Sequence, residues 1–279
     1  MDSLADDVIQ HIFSNLSNVK DLAHCLCVSK NFKRNITHHK TLCFPRGIFD
    51  NLKHPQTPDR IVTQMVSSIP RLEELVVCCP FTSPALASWL LIVGSSLKNL
   101  ELFVAYDHNN KFPNYNLDCI QGASRNLESL RLWRVTIAPT PKWEVFQKLR
   151  NLEINEAKLE NSILTEALRV TPNLTRLVLR SCKETCQGLD FGNLMALESL
   201  NVRGGRWGGD LIRKMLRLAS DLKHLHLHFG LVRSSPFPDF VELFGTLPKL
   251  ESFSVSRDTL FFICNLNNPK NVSFIITCY

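Results

Sequence analysis

The chain holds 279 residues, 44% of them hydrophobic and 21% charged, with a net charge of +6. That composition is ordinary for a globular protein of one large or two smaller domains; it excludes a disordered chain, and the scattered basic residues demand no nucleic-acid partner. The longest apolar run, residues 85–94, is about half what a bilayer needs, the acidic start lacks the apolar region of a secretory signal, and ten cysteines without a C-x-x-C pair read as reduced thiols of a cytosolic or nuclear protein.

Residues 1–40 carry helical spacing. In "SLADDVIQHIFSNL", Ser3 and Asp6 suggest a weak capping box, and Val8, Ile12 and Leu16 recur every four residues beside Ile9 and Phe13. "NVKDLAHCLCV" gives a second amphipathic segment with Leu22, Cys25 and Leu26. "SKNFKRNI" gives a third, capped by Ser29, with Phe32 and Ile36 four apart. Three short helices make a very small core, which usually leans on a neighbour or a partner.

From residue 41 onward the pattern changes. The strand "TLCF" (41–44) is followed by a recurring phrase: "LEELVV" (72–77), "LKNLEL" (97–102), "LESLRL" (127–132), "LRNLEI" (149–154), "LTRLVL" (174–179), "LESLNV" (197–202), "LKHLHL" (222–227), "LESFSV" (250–255) and a degenerate "NVSFII" (271–276). The starts lie 21 to 30 residues apart. The last two apolar positions of each phrase are two apart, so they share one face of a short strand. Between the phrases, Ile61, Met65 and Ile69, then Ile163, Ala167 and Val170, then Leu211, Met215 and Leu218 with Asp210 as N-cap, predict helices. A unit of this size cannot bury its apolar face alone, so the units are expected to stack on one core.

The second, fourth and sixth residues after the first Leu avoid that core. Equivalent positions on adjacent strands form rows about 4.8 Å apart. The rows collect Phe103 and Trp133, the arginines Arg131, Arg176, Arg180 and Arg203, and His224, His226 and His228 of "LKHLHLHF". Glu101 and Glu153 flank Arg131 as an expected charge ladder of little net value. The histidines sit between Ser199, Asn201 and Arg203 on one side and Ser252, Ser254 and Ser256 on the other. These neighbours offer no carboxylate or thiol, so a neutral or pH-responsive binding stripe, the latter partly protonated near pH 6.5, is favoured over a metal site. "GGRWGG" (204–209) fits neither phosphate-loop pattern and reads as a loop between repeats. "YDHNNKFPNYN" (106–116) and "GLVRSSPFPDF" (230–240) read as long recognition loops. No metal, cofactor or catalytic residue is expected.

Residues from about 59 to the end resemble an irregular leucine-rich-repeat solenoid. Residues 1–40 resemble an F-box through Leu4, Asp6, Ile12, Phe13, Leu16, Asp21, Leu22, Val28, Ser29 and Lys30; Ala5, Asn31 and Phe32 depart from its usual Pro, basic residue and Trp. Together they resemble a plant-like F-box/leucine-rich-repeat protein. The resemblance implies an α/β fold: an N-terminal three-helix F-box (1–40), then a curved solenoid of about nine repeats (41–279) with its parallel sheet on the concave side and helices on the convex side. It implies a non-catalytic, cytoplasmic or nuclear substrate adaptor of an SCF-type cullin-RING ubiquitin ligase, with no cofactor and no nucleic-acid or membrane partner. Leu4, Ala5, Val8, Ile9, Ile12, Leu16, Leu22, Cys25 and Val28 would face the Skp-type adaptor, some of them packing inside the bundle instead. The rows of Phe103, Arg131, Trp133, Arg176, Arg180, Arg203 and the three histidines would face an acidic or phosphorylated client with an apolar anchor. A Skp-binding or other protein-interaction scaffold without ubiquitination activity is the alternative.

Overall fold

In the computed structural model, which describes residues 4–50, 57–104, 114–137, 142–157, 161–181, 194–207, 209–231, 247–256 and 273–277, the elements follow the leucine phrases. The chain divides into two units, Met1–Val135 and Thr136–Tyr279.

The first unit opens with α1 (Asp6–Ser14), α2 (Val19–Leu26), α3 (Lys30–Asn35) and a 3-10 turn (Ile36–His38). It continues with β1 (Thr41–Phe44), α4 (Thr57–Ser67), β2 (Glu74–Val77), α5 (Ser83–Val93), β3 (Asn99–Phe103), a 3-10 helix (Asp118–Ala123) and β4 (Ser129–Trp133). Each strand pairs in parallel with the next in chain order, β1 to β4. Parallel neighbours need a crossover, and the helices between them supply it.

The second unit holds β5 (Asn151–Asn155), α6 (Asn161–Arg169), β6 (Arg176–Arg180), β7 (Ser199–Trp207), α7 (Gly209–Leu218), β8 (His224–Leu231), β9 (Ser252–Ser256) and β10 (Ser273–Thr277). These strands are also parallel and ordered as in the chain. Register follows the phrases residue by residue: Asn151, Arg176, Ser199, His224, Ser252 and Ser273 form one continuous row.

One face of each strand from β1 to β9 is closed. Leu42, Leu75, Leu100, Leu130, Leu152, Leu177, Leu200, Leu225 and Phe253 are at most 2% exposed. The segments between the strands bury Val62 and Val66 of α4 with Ile69 just beyond it, Leu86, Trp89 and Val93 of α5, and Ile163 and Ala167 of α6 with Val170 just beyond it. The Trp89 indole N–H donates to Thr63 Oγ1 at 2.8 Å, joining α5 to α4. In α7 the buried stripe is Met215, Leu216 and Ala219, while Leu218 is half-buried. Gly94 ends α5 where a Cβ would meet the Gly122 carbonyl oxygen at 2.7 Å, so the helix and the 3-10 helix approach through glycine. Among the described residues no helix is long and apolar enough to cross a membrane.

Two repeating devices lie at the strand ends. At the start, the carbonyl before one strand accepts two N–H groups from the next: Glu73 and Glu74 donate to Lys40, Lys98 and Asn99 to Glu73, Lys223 and His224 to Glu198. The same row carries ion pairs, Lys40–Glu73 and Lys98–Glu73 at 2.6 Å and Lys223–Glu198 at 3.2 Å. At the end, the residue after the strand turns left-handed in Arg134 (φ 57), Glu156 (φ 50) and Ser181 (φ 51), and the equivalent position inside β7 is Gly204 (φ 69). Only the last is a glycine, and the other three each carry a conformational cost of roughly 1–2 kcal/mol.

Three expectations are corrected. "GGRWGG" is not an inter-repeat loop: β7 runs through residues 204–207, because residues 230–231 of β8 extend the parallel ladder to meet residues 206–207 across an irregularity. Residues 230–231 accordingly belong to β8 rather than to a recognition loop. Asp210 lies inside the first turn of α7, which begins at Gly209, so it does not precede the helix as an N-cap. Residues 105–113 and 232–246, which hold most of both long insertions, and Ser3 lie outside the described residues.

Candidate partner-binding surfaces

The N-terminal helices are built around Ile9 and Leu22, both fully buried, with Phe13, Val19, Phe32 and Ile36 between 2% and 5% exposed. Phe13 and Phe32 meet edge to face, their centroids 5.8 Å apart, so phenylalanine fills the position of the usual Trp. Two caps organise the turns. Asn18 accepts from Lys20 N–H and Ser29 from Phe32 N–H. Ala5 stands at the N-cap of α1 and offers no side-chain cap. The start of the chain is held from elsewhere: Asn31 Nδ2 donates to the Leu4 carbonyl at 3.1 Å, and buried Asn35 donates to Asp6 at 2.9 Å. The Asn35 amide and the Arg34 guanidinium, 3.1 Å away, hold the Asp6 carboxyl below its usual range.

This packing divides the nine adaptor-facing candidates. Ile9 and Leu22 are taken up by the bundle core, because they are the positions where the helices meet, and they offer no surface. Leu4, Val8 and Val28 are 38%, 43% and 42% exposed, a large apolar exposure for so small a bundle. Ala5 is exposed as well, and Ile12, Leu16 and Cys25 are half-buried. Exposed Val8 and buried Ile9 are neighbours in sequence, which is why spacing alone could not divide them. The bundle is tied to β1, where Cys43 N–H donates to the Ser17 carbonyl at 2.8 Å.

On the open strand face of the first unit, Arg131 pairs with Glu101 at 3.3 Å. Phe103 and Trp133 are tilted ring neighbours at 5.8 Å. Two residues outside the rows join them: the guanidinium carbons of Arg46 and Arg134 lie 5.7 and 5.2 Å from the Phe103 centroid. Arg134 sits one residue past the strand, where the left-handed turn redirects the chain. Cys78 on the same face is pushed up to about 11, chiefly by burial, so its thiol stays protonated.

On the open face of the second unit, Glu153 accepts from the Asn155 amide at 2.9 Å and pairs with Arg180 at 3.6 Å. Arg176 and Arg203 are exposed. The three histidines are half-buried. His224 Nδ1 lies 2.9 Å from Ser252 Oγ, and His228 Nε2 lies 3.0 Å from Ser254 Oγ. Serines therefore hold two of the three rings, and no group of three His, Cys, Asp or Glu able to hold a metal is found among the described residues.

Of the two forms expected for this stripe, neutral or pH-responsive, the surroundings of His226 and His228 favour the neutral one. Burial, then His224 and Arg176, lower the basicity of His226. Burial, then Arg203 and His226, do the same to His228. Desolvation and like charge both oppose the imidazolium at His226 and His228.

The F-box domain family matches residues 1–44, which end with β1. An F-box protein of Arabidopsis thaliana is 36% identical over an alignment of 350 residues, covering 100% of this chain and 84% of the relative.

Proposed function

The chain belongs to the F-box protein family, and from that premise we propose that it is the substrate-recognition subunit of an SCF-type cullin-RING ubiquitin ligase. Its F-box binds the Skp-type adaptor, and residues from 41 onward form a leucine-rich-repeat solenoid whose concave strand face holds the protein to be ubiquitinated. The observation that carries this reading is the exposed apolar set Leu4, Val8 and Val28 on a bundle with a closed core of its own. Parallel strands in chain order, one per leucine phrase, support the solenoid. The chain supplies no chemistry in this reading. It raises the effective concentration of client lysines near the ubiquitin-carrying enzyme. The compartment is the cytoplasm or nucleus, where the thiols stay reduced.

The test is capture of the Skp-type adaptor by the full chain. Val8→Asp places a charge in the docking surface and is expected to lower recovery more than about tenfold, while an exposed site shifts stability by no more than about 0.5 kcal/mol. Equal recovery by the variant would sink the docking surface. Ubiquitin transfer to a captured client, reconstituted with cullin and RING subunits, then separates a ligase subunit from a scaffold that binds the adaptor alone.

A further inference from the structure

On the open face of the second unit, several polar side chains are bonded to one another. Glu153 engages Asn155 and Arg180, His224 meets Ser252, and His228 meets Ser254. Four that lie between these pairs are not. Arg176 on β6, Ser199 and Asn201 on β7 and His226 on β8 make no side-chain hydrogen bond or ion pair among the described residues. Register makes them neighbours, since Arg176 pairs with Ser199 and Asn201 with His226. Leu177, Leu200 and Leu225, which alternate with them, are fully buried, so all four project from the open face. β6 and β8 flank β7, so the strands of Arg176 and His226 run about 10 Å apart with Ser199 and Asn201 between them. Arg176 comes near enough to oppose the charged form of His226. Each of the four can donate a hydrogen bond, and Arg176 carries a full positive charge. The titratable or charged groups facing His226 are His224 and His228 on its own strand, Arg203 on β7 and Arg176 on β6, while β9 presents Ser252 and Ser254. None of these is a carboxylate, and Glu153 on β5 is already engaged.

We propose that Arg176, Ser199, Asn201 and His226 form a receiving site for an anionic side chain of the client protein, a carboxylate or a phosphate. This rests on the client-binding reading of the strand face and narrows it to one site in the second unit. The Arg176 fork takes the oxygens in pairs from one side, Ser199 and Asn201 donate from below, and the His226 ring closes the other side. Occupation is coupled to a proton. The anion offsets the positive charge of Arg176 that opposes the His226 imidazolium and gives that imidazolium a partner. Binding therefore makes His226 more basic, and by reciprocity protonation of His226 tightens the hold on the anion.

The test uses the full chain bound to its adaptor and three short peptides: phosphoserine between two alanines, the same peptide with glutamate, and the same with serine. The readout is the imidazole resonance of His226, one of nine histidines, identified by its loss in His226→Gln. An acidic peptide is expected to move that resonance saturably and to raise the pH at which the ring titrates, while the serine peptide does neither. A response to phosphoserine alone identifies the anion as phosphate, and one to glutamate as carboxylate. Arg176→Ala, at an exposed position, removes one like charge and is expected to raise the His226 titration in the free chain. The same variant is expected to weaken the acidic peptide about tenfold or more while adaptor capture is retained. Silence of both acidic peptides, an equal response to the serine peptide, a His226 titration that no peptide moves, or undiminished binding by Arg176→Ala overturns the site. Adaptor capture is scored separately, so loss of the site and loss of the ligase reading are told apart.

Discussion

The open strand faces of the two units share one frame and carry different chemistry. In the first, Phe103 and Trp133 gather two guanidiniums, and the thiol of Cys78 stays protonated beside them. In the second, histidines, serines and an asparagine bond to one another and to Glu153. Beneath each lie buried leucines at equivalent positions of the phrases. Core positions are restricted to apolar residues by close packing, whereas the alternate positions meet no such demand. The alternate positions can therefore change from one leucine phrase to the next without disturbing the buried frame.

The comparison is sharpened most by cutting the frame in both units. Leu100→Ala and Leu225→Ala remove equivalent buried side chains, and each is expected to cost about 2–5 kcal/mol. His226→Ala, next to Leu225 but on the other face, is expected to cost less than about 1 kcal/mol. Denaturant unfolding measures all three. A His226 variant as damaging as Leu225→Ala would show that the open face of the second unit is structural.

That frame was legible in the residues because leucines two and three apart dictate both the strand and its register. Less was legible where a position's role depends on its neighbour. The glycines of residues 204–209 read as a loop, yet β8 offers residues 206 and 207 a parallel partner and the strand continues. Alternating charge in Lys40, Glu73 and Lys98 stood in plain view, one residue after the first leucine of each phrase or just before β1. Its meaning emerges only when β1 is laid beside β2. In the F-box, the helical stripe named apolar residues but could not separate exposed Val8 from buried Ile9. The Arg46–Phe103–Arg134 cluster escaped because neither arginine belongs to a phrase.

The left-handed residues at the ends of the leucine phrases give an effect of intermediate size. Gly204 is the one glycine in that series, and a Cβ there would meet Ser181 Oγ and Cα at 3.3 Å. Gly204→Ala is expected to cost about 1–2 kcal/mol. Ser181→Gly, at the equivalent turn one repeat earlier, removes that penalty and is expected to be neutral or to stabilise by up to about 1 kcal/mol, since glycine also loosens the unfolded chain. Opposite signs from one conformation identify the backbone as the cause. A loss from both substitutions would assign the effect to the contact between residues 181 and 204 instead.

The smallest effect separates the faces by pH. His226 is lowered by burial, His224 and Arg176, and His228 by burial, Arg203 and His226. A histidine less basic when folded than when unfolded makes the unfolded chain the better proton acceptor. Stability then rises with pH wherever the unfolded state binds more protons. The contribution of both rings is therefore complete above the ordinary histidine range near 6.5 and is lost as pH falls through that range toward their folded values. Melting temperatures measured from pH 7.5 down to 5.5 are expected to fall, and His226→Gln combined with His228→Gln is expected to flatten that slope. His39 contributes in the same direction from the first unit, because burial lowers it as well. The double variant should therefore leave a residual slope that His39→Gln removes. A double variant as sensitive to acid as the parent would mean that the stripe is solvated and charges freely, and the second face would then become cationic like the first.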